Sequence, residues 1–206
     1  MINGLKLFLE EGTTLLATLS TDAESDLVIL AQHGDRNAFG ELVRRHYPKT
    51  VQVVFRFCGD PVLAEDATQE AFLRAWLNLA SFQVDSSLRN WVYRIAINAA
   101  VDFLRHRPEV SIQDEIAVAE ADGTPGPEMI LIAKERTAAI QQAIKSLPEA
   151  ARSVLVLREY GDLSYREISE ILDIPFGTVM SRLNYARTRL RQLLEGYLVR
   201  PESMNE

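Results

Sequence analysis

The sequence predicts an all-α fold: two small helical domains joined by an acidic flexible linker. Three observations carry this. Apolar residues recur at helical spacing almost throughout, with no convincing run of strict apolar/polar alternation and few β-branched clusters. The pattern breaks clearly once, from Arg107 to Pro127, where Pro108, the acids Asp114, Glu115, Glu120 and Asp122, and the run Gly123-Thr124-Pro125-Gly126-Pro127 combine charge with turn formers. The 206 residues, 47% hydrophobic and 25% charged, suffice for packed cores in one domain or two small ones. The resulting division is an extension over 1–21, a first domain over 22–107, a linker over 108–129, a second domain over 130–197 and a tail over 198–206.

In the extension, Leu5, Leu7, Phe8 and Leu9 are interrupted at once by Glu10 and Glu11. That is too short an apolar stretch, without a basic lead, for a signal peptide. It is expected to be a loosely tied segment, with a peripheral helix as the alternative. No run of about 18 uncharged apolar residues exists to cross a membrane. The first domain is expected to hold helices over Ala23–Gln32, Ala38–Cys58, Pro61–Leu79 and Ser87–Arg107, with stop-and-cap chemistry at Gly34-Asp35 and Gly59-Asp60. The second is expected to hold helices over Glu128–Ser146, Pro148–Glu159, Ser164–Leu172 and Phe176–Tyr197. The single cysteine, Cys58, excludes an internal disulfide and a multi-cysteine zinc site, suits a reducing cytoplasm, and reads as a small buried hydrophobe among Val54, Phe55 and Phe57.

The net charge of −7 is unevenly spread. Residues 108–133 carry six acids and no Lys or Arg, whereas 134–200 carry eleven Lys or Arg against eight acids. The acid sits in the linker and the C-terminal segment is basic, so the global charge does not exclude nucleic acid.

The strongest local pattern is a helix-turn-helix. Ser164-Tyr165-Arg166-Glu167 is a capping box, Ile168, Ile171 and Leu172 make an apolar face, and Asp173-Ile174-Pro175 is a tight turn around one buried residue, Ile174. Ser169 is the small residue a close helix crossing needs. The following helix has Val179, Leu183, Ala186 and Leu190 on one stripe. Gly177, Ser181, Asn184, Tyr185 and Thr188 point away, flanked by Arg182, Arg187 and Arg189, with no acid between Phe176 and Gln192. Such a helix fits the major groove, its short polar side chains facing base edges and its arginines the phosphates. A solvated basic helix face is the plainer alternative.

Two helices of the first domain carry further patterns. Over Leu63–Leu79, Phe72, Ala75, Trp76 and Leu79 should face the core, while Asp66, Gln69, Glu70 and Leu73 share another face. That acidic-amide patch with an apolar edge suits a basic partner helix, or is simply a solvated face. Over Arg89–Arg107, Val92, Ile95, Ala96, Ala99 and Phe103 form the buried stripe, and Trp91, Arg94, Asn98 and Arg105 share a different face. Aromatic, cation and amide interleaved suit single-stranded nucleic acid, and the preceding polar loop, Phe82 to Leu88, suits a wall for an unstacked base. Core packing serves Trp91 equally well.

Five phrases, in order and at matching spacing, resemble the extracytoplasmic-function (ECF) sigma factors of the sigma-70 family: Glu65 to Trp76, Asn90 to Asn98, Leu147-Pro148-Glu149, Leu163 to Ile168, and Gly177-Thr178-Val179 with Ser181-Arg182-Leu183. The resemblance covers roughly residues 22–195. It implies a promoter-directing subunit of RNA polymerase, with no catalytic role, cofactor or metal. It implies that the first domain is sigma region 2, docking on the β′ coiled coil through Asp66, Gln69, Glu70 and Leu73 and reading the −10 element with Ser86, Leu88, Trp91, Arg94 and Asn98. The second is then region 4, engaging the β flap and reading the −35 element with Thr178, Met180, Ser181, Arg182, Asn184, Tyr185, Arg187 and Arg189. The linker would thread toward the RNA exit channel, and an anti-sigma factor is an expected partner. Met180, Asn184 and Tyr185 depart from the family's common pattern, so the −35 sequence read here is expected to differ.

A stand-alone helix-turn-helix regulator is the competing reading, but nothing resembles a receiver domain or a dimerisation seam. An enzyme has still less support: His33, His46 and His106 lie in unrelated contexts, and no phosphate-cradling glycine loop or metal-spaced ligand set appears.

Overall fold

A computed structural model describes residues 24–84, 86–106 and 127–198, with side-chain surroundings in the last range given for 133–195. The extension over 1–21, most of the linker, Asp85 and the tail beyond Leu198 lie outside the described residues. The described residues are helical, without strands: α1 (24–32), α2 (Arg36–Cys58), α3 (Pro61–Asn78), a 3-10 turn (Leu79–Ser81), α4 (Leu88–His106), α5 (Pro127–Lys145), α6 (Glu149–Glu159), α7 (Tyr165–Leu172) and α8 (Phe176–Leu198).

Local chemistry sets the boundaries. α2 starts two residues before the expected Ala38 because Asp35 caps it, accepting from the Asn37 and Ala38 amides at 2.8 and 3.2 Å. It ends at Gly59, whose φ of +74° is the left-handed cap that glycine adopts without strain. Asp60 then caps α3, accepting from the Leu63 amide at 3.0 Å with Pro61 in the first turn. Each such cap is worth about 1 kcal/mol. α5 starts at Pro127, inside the last residues assigned to the linker, because proline suits a first helical position.

Facing alanines draw α3 and α4 together: Ala64, Ala67, Ala71 and Ala75 on one helix, Ala96, Ala99 and Ala100 on the other, all buried. A smaller core gathers Val28, Leu42, Phe72, Leu79, Leu88 and Val92 from α1 to α4. The larger core was not expected. It runs from Val53, Phe57 and Ala67 through Tyr93, Ala96 and Ile97 to Ile144, Leu147, Val154, Ile168 and Leu183. The two expected domains therefore share one apolar interior, with α5 to α7 laid against α2 and α4. Cys58 is buried within it, and burial pushes its thiol up to about 11.

Candidate functional site

α3 turns its alanines inward, so its outer face is free of core duty. Asp66 and Gln69 are exposed, Leu73 is 60% exposed and Leu77, one turn further, is 78% exposed. Two adjacent exposed leucines on a rigid helix form an apolar patch of the kind that marks an interaction surface. Leu77 escaped the sequence reasoning because it lies one turn beyond the motif. Glu70 is half-buried, accepting from Arg74 Nε at 2.7 Å. Beside this face, a groove of about 490 Å³ between α2 and α3 is lined by Arg36, Phe39, Val43, Gln69, Leu73 and Trp76.

α4 has three faces. Val92, Ala96, Ala99 and Ala100 pack on its neighbours in the first domain. Tyr93 and Ile97, 1% and 2% exposed, enter the core shared with the second domain. Trp91, Arg94, Asn98 and Arg105 lie on the third, the last three exposed and Trp91 half-buried. Sequence patterning missed the second face because nothing in α4 itself reveals that another domain covers it.

The Trp91 ring sits 4.9 Å from Phe82 between centroids, so both readings of Trp91 hold in part: it packs on the loop while its edge reaches the surface. The loop is pinned from α1, where Gln32 Nε2 donates to the Leu79 and Phe82 carbonyls at 2.9 and 2.8 Å. A pocket of about 560 Å³ opens here among Phe82, Gln83, Ser86, Asn90, Trp91 and Arg94. Leu88 corrects an expectation. It is only 3% exposed, packed into the smaller core at the start of α4, so it holds the loop and has no side-chain surface to offer DNA.

In the helix-turn-helix, the capping box forms as read: Glu167 Oε2 accepts from the Ser164 amide at 2.8 Å, and Ser164 Oγ accepts from the Glu167 amide at 3.2 Å. Asp173 takes a left-handed conformation, and Ser169 Oγ donates to the Ile174 carbonyl at 2.5 Å, closing the turn; Ile174 itself is half-buried. Val179, Leu183 and Ala186 are buried, so α8 presents Met180, Ser181, Asn184, Tyr185 and Arg189 to solvent. Thr178 and Arg182 are half-buried. Arg187 is exposed and donates through Nη2 to Glu159 at 2.7 Å.

The two candidate DNA-facing surfaces are not independent. Glu170 and Ile171 of α7 complete the wall of the pocket at Trp91 and Arg94. A second pocket, of about 540 Å³, is lined by Asn98 and Arg105 of α4 together with Arg182 of α8. Between them, Glu167 Oε1 accepts from Asn90 Nδ2 at 3.0 Å and Arg89 Nη2 at 3.2 Å. Burial alone would raise the Glu167 carboxyl; the hydrogen bonds from Asn90 and Ser164, with the Arg89 charge, outweigh it and bring it down to about 2.

Comparison with known proteins fits this geometry. The "Sigma-70 region 2" family matches residues 42–108 and "Sigma-70, region 4" matches residues 137–190. The ECF RNA polymerase sigma factor SigW of Bacillus subtilis (strain 168) is 39% identical over 171 residues, 78% of this chain and 91% of that protein. The ECF RNA polymerase sigma-E factor of Escherichia coli (strain K12) is 40% identical over 172 residues, 78% of this chain and 88% of that protein. Among solved structures, CnrH in complex with the cytosolic domain of CnrY superposes with a TM-score of 0.65 at 26% identity, over 84% of this chain and 98% of that one.

Proposed function

The chain belongs to the sigma-70 family, as an ECF sigma factor serving promoter-specific transcription initiation, and from that premise we propose how its surfaces divide the work. Residues 22–107 act as region 2. Asp66, Gln69, Glu70 and Leu73 dock on the β′ coiled coil of core polymerase, with Leu77 extending the apolar edge. Ser86, Trp91, Arg94 and Asn98 capture the opened −10 strand. Residues 130–197 act as region 4, meeting the β flap and laying α8 in the −35 major groove, where Thr178, Met180, Ser181, Asn184 and Tyr185 face bases and Arg182, Arg187 and Arg189 face phosphates.

The observation that carries this is the separation of tasks on one rigid helix pair. α3 offers an apolar-acidic patch with no feature that suits DNA. α4 offers an aromatic, a cation and an amide beside a pocket lined with polar groups. Extruding a base costs a few kcal/mol, and stacking on an aromatic returns about 1–3 kcal/mol of it. With a net charge of −7, the chain depends on polymerase for non-specific affinity and contributes discrimination. It acts in the cytoplasm without catalysis, under an anti-sigma partner. The CnrH match, solved with a bound cytosolic domain, supports such a partner. Among the described residues no helix is long and apolar enough to cross a membrane.

The test is run-off transcription from a random promoter library with core polymerase, with and without the chain. Asn98→Ala is expected to abolish transcription while core binding persists; loss of both together counts against its role. A gel shift on intact duplex without polymerase separates this reading from a stand-alone regulator, which would bind.

A further inference from the structure

The outward side of α8 carries a pattern that its arginines conceal. Val179, Leu183 and Ala186 are buried, which fixes how the helix is rotated about its axis. Gly177, Ser181, Asn184 and Thr188 then run along the opposite side at helical spacing, all exposed. Met180 and Tyr185 flank this strip, 50% and 51% exposed. No Lys or Arg stands among these residues. The nearby arginines lie to either side. Arg187 donates through Nε and Nη2 to Glu159 Oε1 at 3.3 and 2.7 Å, which draws it toward α6. Arg182 is half-buried and lines the cavity it shares with Asn98 and Arg105. Arg189 donates to Gln192 Oε1 at 3.3 Å, within its own helix.

A strip of this composition discriminates between bases. In the major groove guanine offers two acceptors, N7 and O6, and is read by Arg or Lys. Adenine offers N7 beside the N6 amine and is read by the amide of Asn or Gln, and thymine offers a methyl group. Asn184 has the donor and acceptor that adenine needs. Ser181 Oγ donates to the Thr178 carbonyl at 3.1 Å, so its remaining capacity is as an acceptor, which suits an amine of adenine or cytosine and not guanine. Met180 and Tyr185 expose apolar surface that gains by burial against a thymine methyl. A Cβ at Gly177 would meet nothing within 4 Å, so packing within the chain does not demand a glycine there. Its effect is to keep the first turn of α8 slim on the side that would enter a groove.

We infer that α8 specifies A·T pairs: Asn184 takes an adenine through N6 and N7, Met180 and Tyr185 lie against thymine methyls, and no guanine is read at the base pairs beneath these three side chains. This rests on the placement of α8 in the −35 groove proposed above and adds to it the class of sequence selected. Met180 and Asn184 stand about 6 Å apart along the helix axis, so the pairs they read lie roughly two steps apart at about 3.4 Å per step. The flanking arginines position the helix on phosphates without adding sequence information.

The test is transcription by the full chain with core polymerase from templates randomised in the −10 and −35 windows, followed by sequencing of the transcribed members. The wild-type chain should enrich A·T pairs at two −35 positions roughly two steps apart, with adenine favoured at least about fivefold at the Asn184 position. Asn184→Asp should move that position alone to cytosine, whose N4 amine a carboxylate accepts from, and Met180→Arg should move the other position to guanine. Both side chains are exposed, so both variants should keep the parent's helical circular dichroism. Enrichment of G·C at these positions by the wild-type chain overturns the inference. An A·T preference that neither variant moves also overturns it, because such a preference belongs to duplex shape and not to these side chains. If no template is transcribed, the sigma assignment fails and takes this reading with it; transcription without the expected −35 bias strikes the base reading alone.

Discussion

α3 and α4 pack along facing alanines, yet their outer faces meet different fates. The α3 face is bare: Asp66, Gln69, Leu73 and Leu77 are all exposed among the described residues, the two leucines by more than half. The α4 face is roofed, with Glu170 and Ile171 over its pocket and Arg182 opposite Asn98. An apolar patch left in water while a polar one is covered is the reverse of what stability alone would select. The difference teaches that two helices of one packed pair serve different neighbours: α3 leaves its outer face to solvent, and α4 shares its own with the second domain.

The largest expected effect breaks the comparison at α3. Leu73→Asp places a third carboxylate on the proposed docking patch, beside Asp66 and Glu70, and removes an exposed apolar group from it. Core-polymerase affinity should fall about 30-fold or more, the scale of a hot-spot residue. Thermal stability should hold, because the side chain is 60% exposed. Asn98→Ala, on the roofed face, should leave core affinity unchanged. A fluorescence titration of core with both variants decides it, and wild-type affinity for Leu73→Asp would remove α3 as the docking helix.

Next comes the link between the faces, Glu167. Its carboxyl sits at about 2 against an ordinary 4.5. A folded-state value below the unfolded one means the stabilisation is complete above about pH 4.5 and is lost as pH falls toward 2. Linkage sets its size at no more than about 3 kcal/mol, and nearer 2 because 29% of the side chain still faces water. Part belongs to the capping box and part to Asn90 and Arg89. Asn90→Ala should therefore raise the Glu167 value while leaving the cap intact, read by carboxyl NMR titration. An unmoved Glu167 would mean that the cap alone holds it down.

Legibility in the sequence followed what each signal depends on. The caps at Asp35, Asp60 and Ser164 and the stripe Val179-Leu183-Ala186 were readable because they depend on residues within a few positions of one another. The exposed Asp66-Gln69-Leu73 side of α3 was readable for the same reason, although Leu77 and the buried Ala64, Ala67 and Ala71 were not picked out. Two things were not. Leu88 looked like part of the loop surface because a residue at a loop-helix junction carries no periodicity of its own; the structure turns it inward. Tyr93 and Ile97 were missed as core because much of the cluster they enter, from Ile144 to Leu183, lies across the linker, and periodicity within α4 does not register a face covered by another domain. The apparent tether concealed a shared interior.

The smallest expected effect sharpens the comparison at Tyr93, the residue on which α4 turns from the first domain to the second. It is 1% exposed, and its hydroxyl has no hydrogen-bond partner among the described residues. Burial pushes that hydroxyl up to about 12, so it remains neutral at any pH of interest. Tyr93→Phe keeps the ring against Gly161 and removes only the unmatched polar atom. The desolvation cost of that atom should be recovered, about 1 kcal/mol, which for a chain of this size raises the melting temperature by roughly 3 °C. A fall in melting temperature would show that the hydroxyl does find a partner.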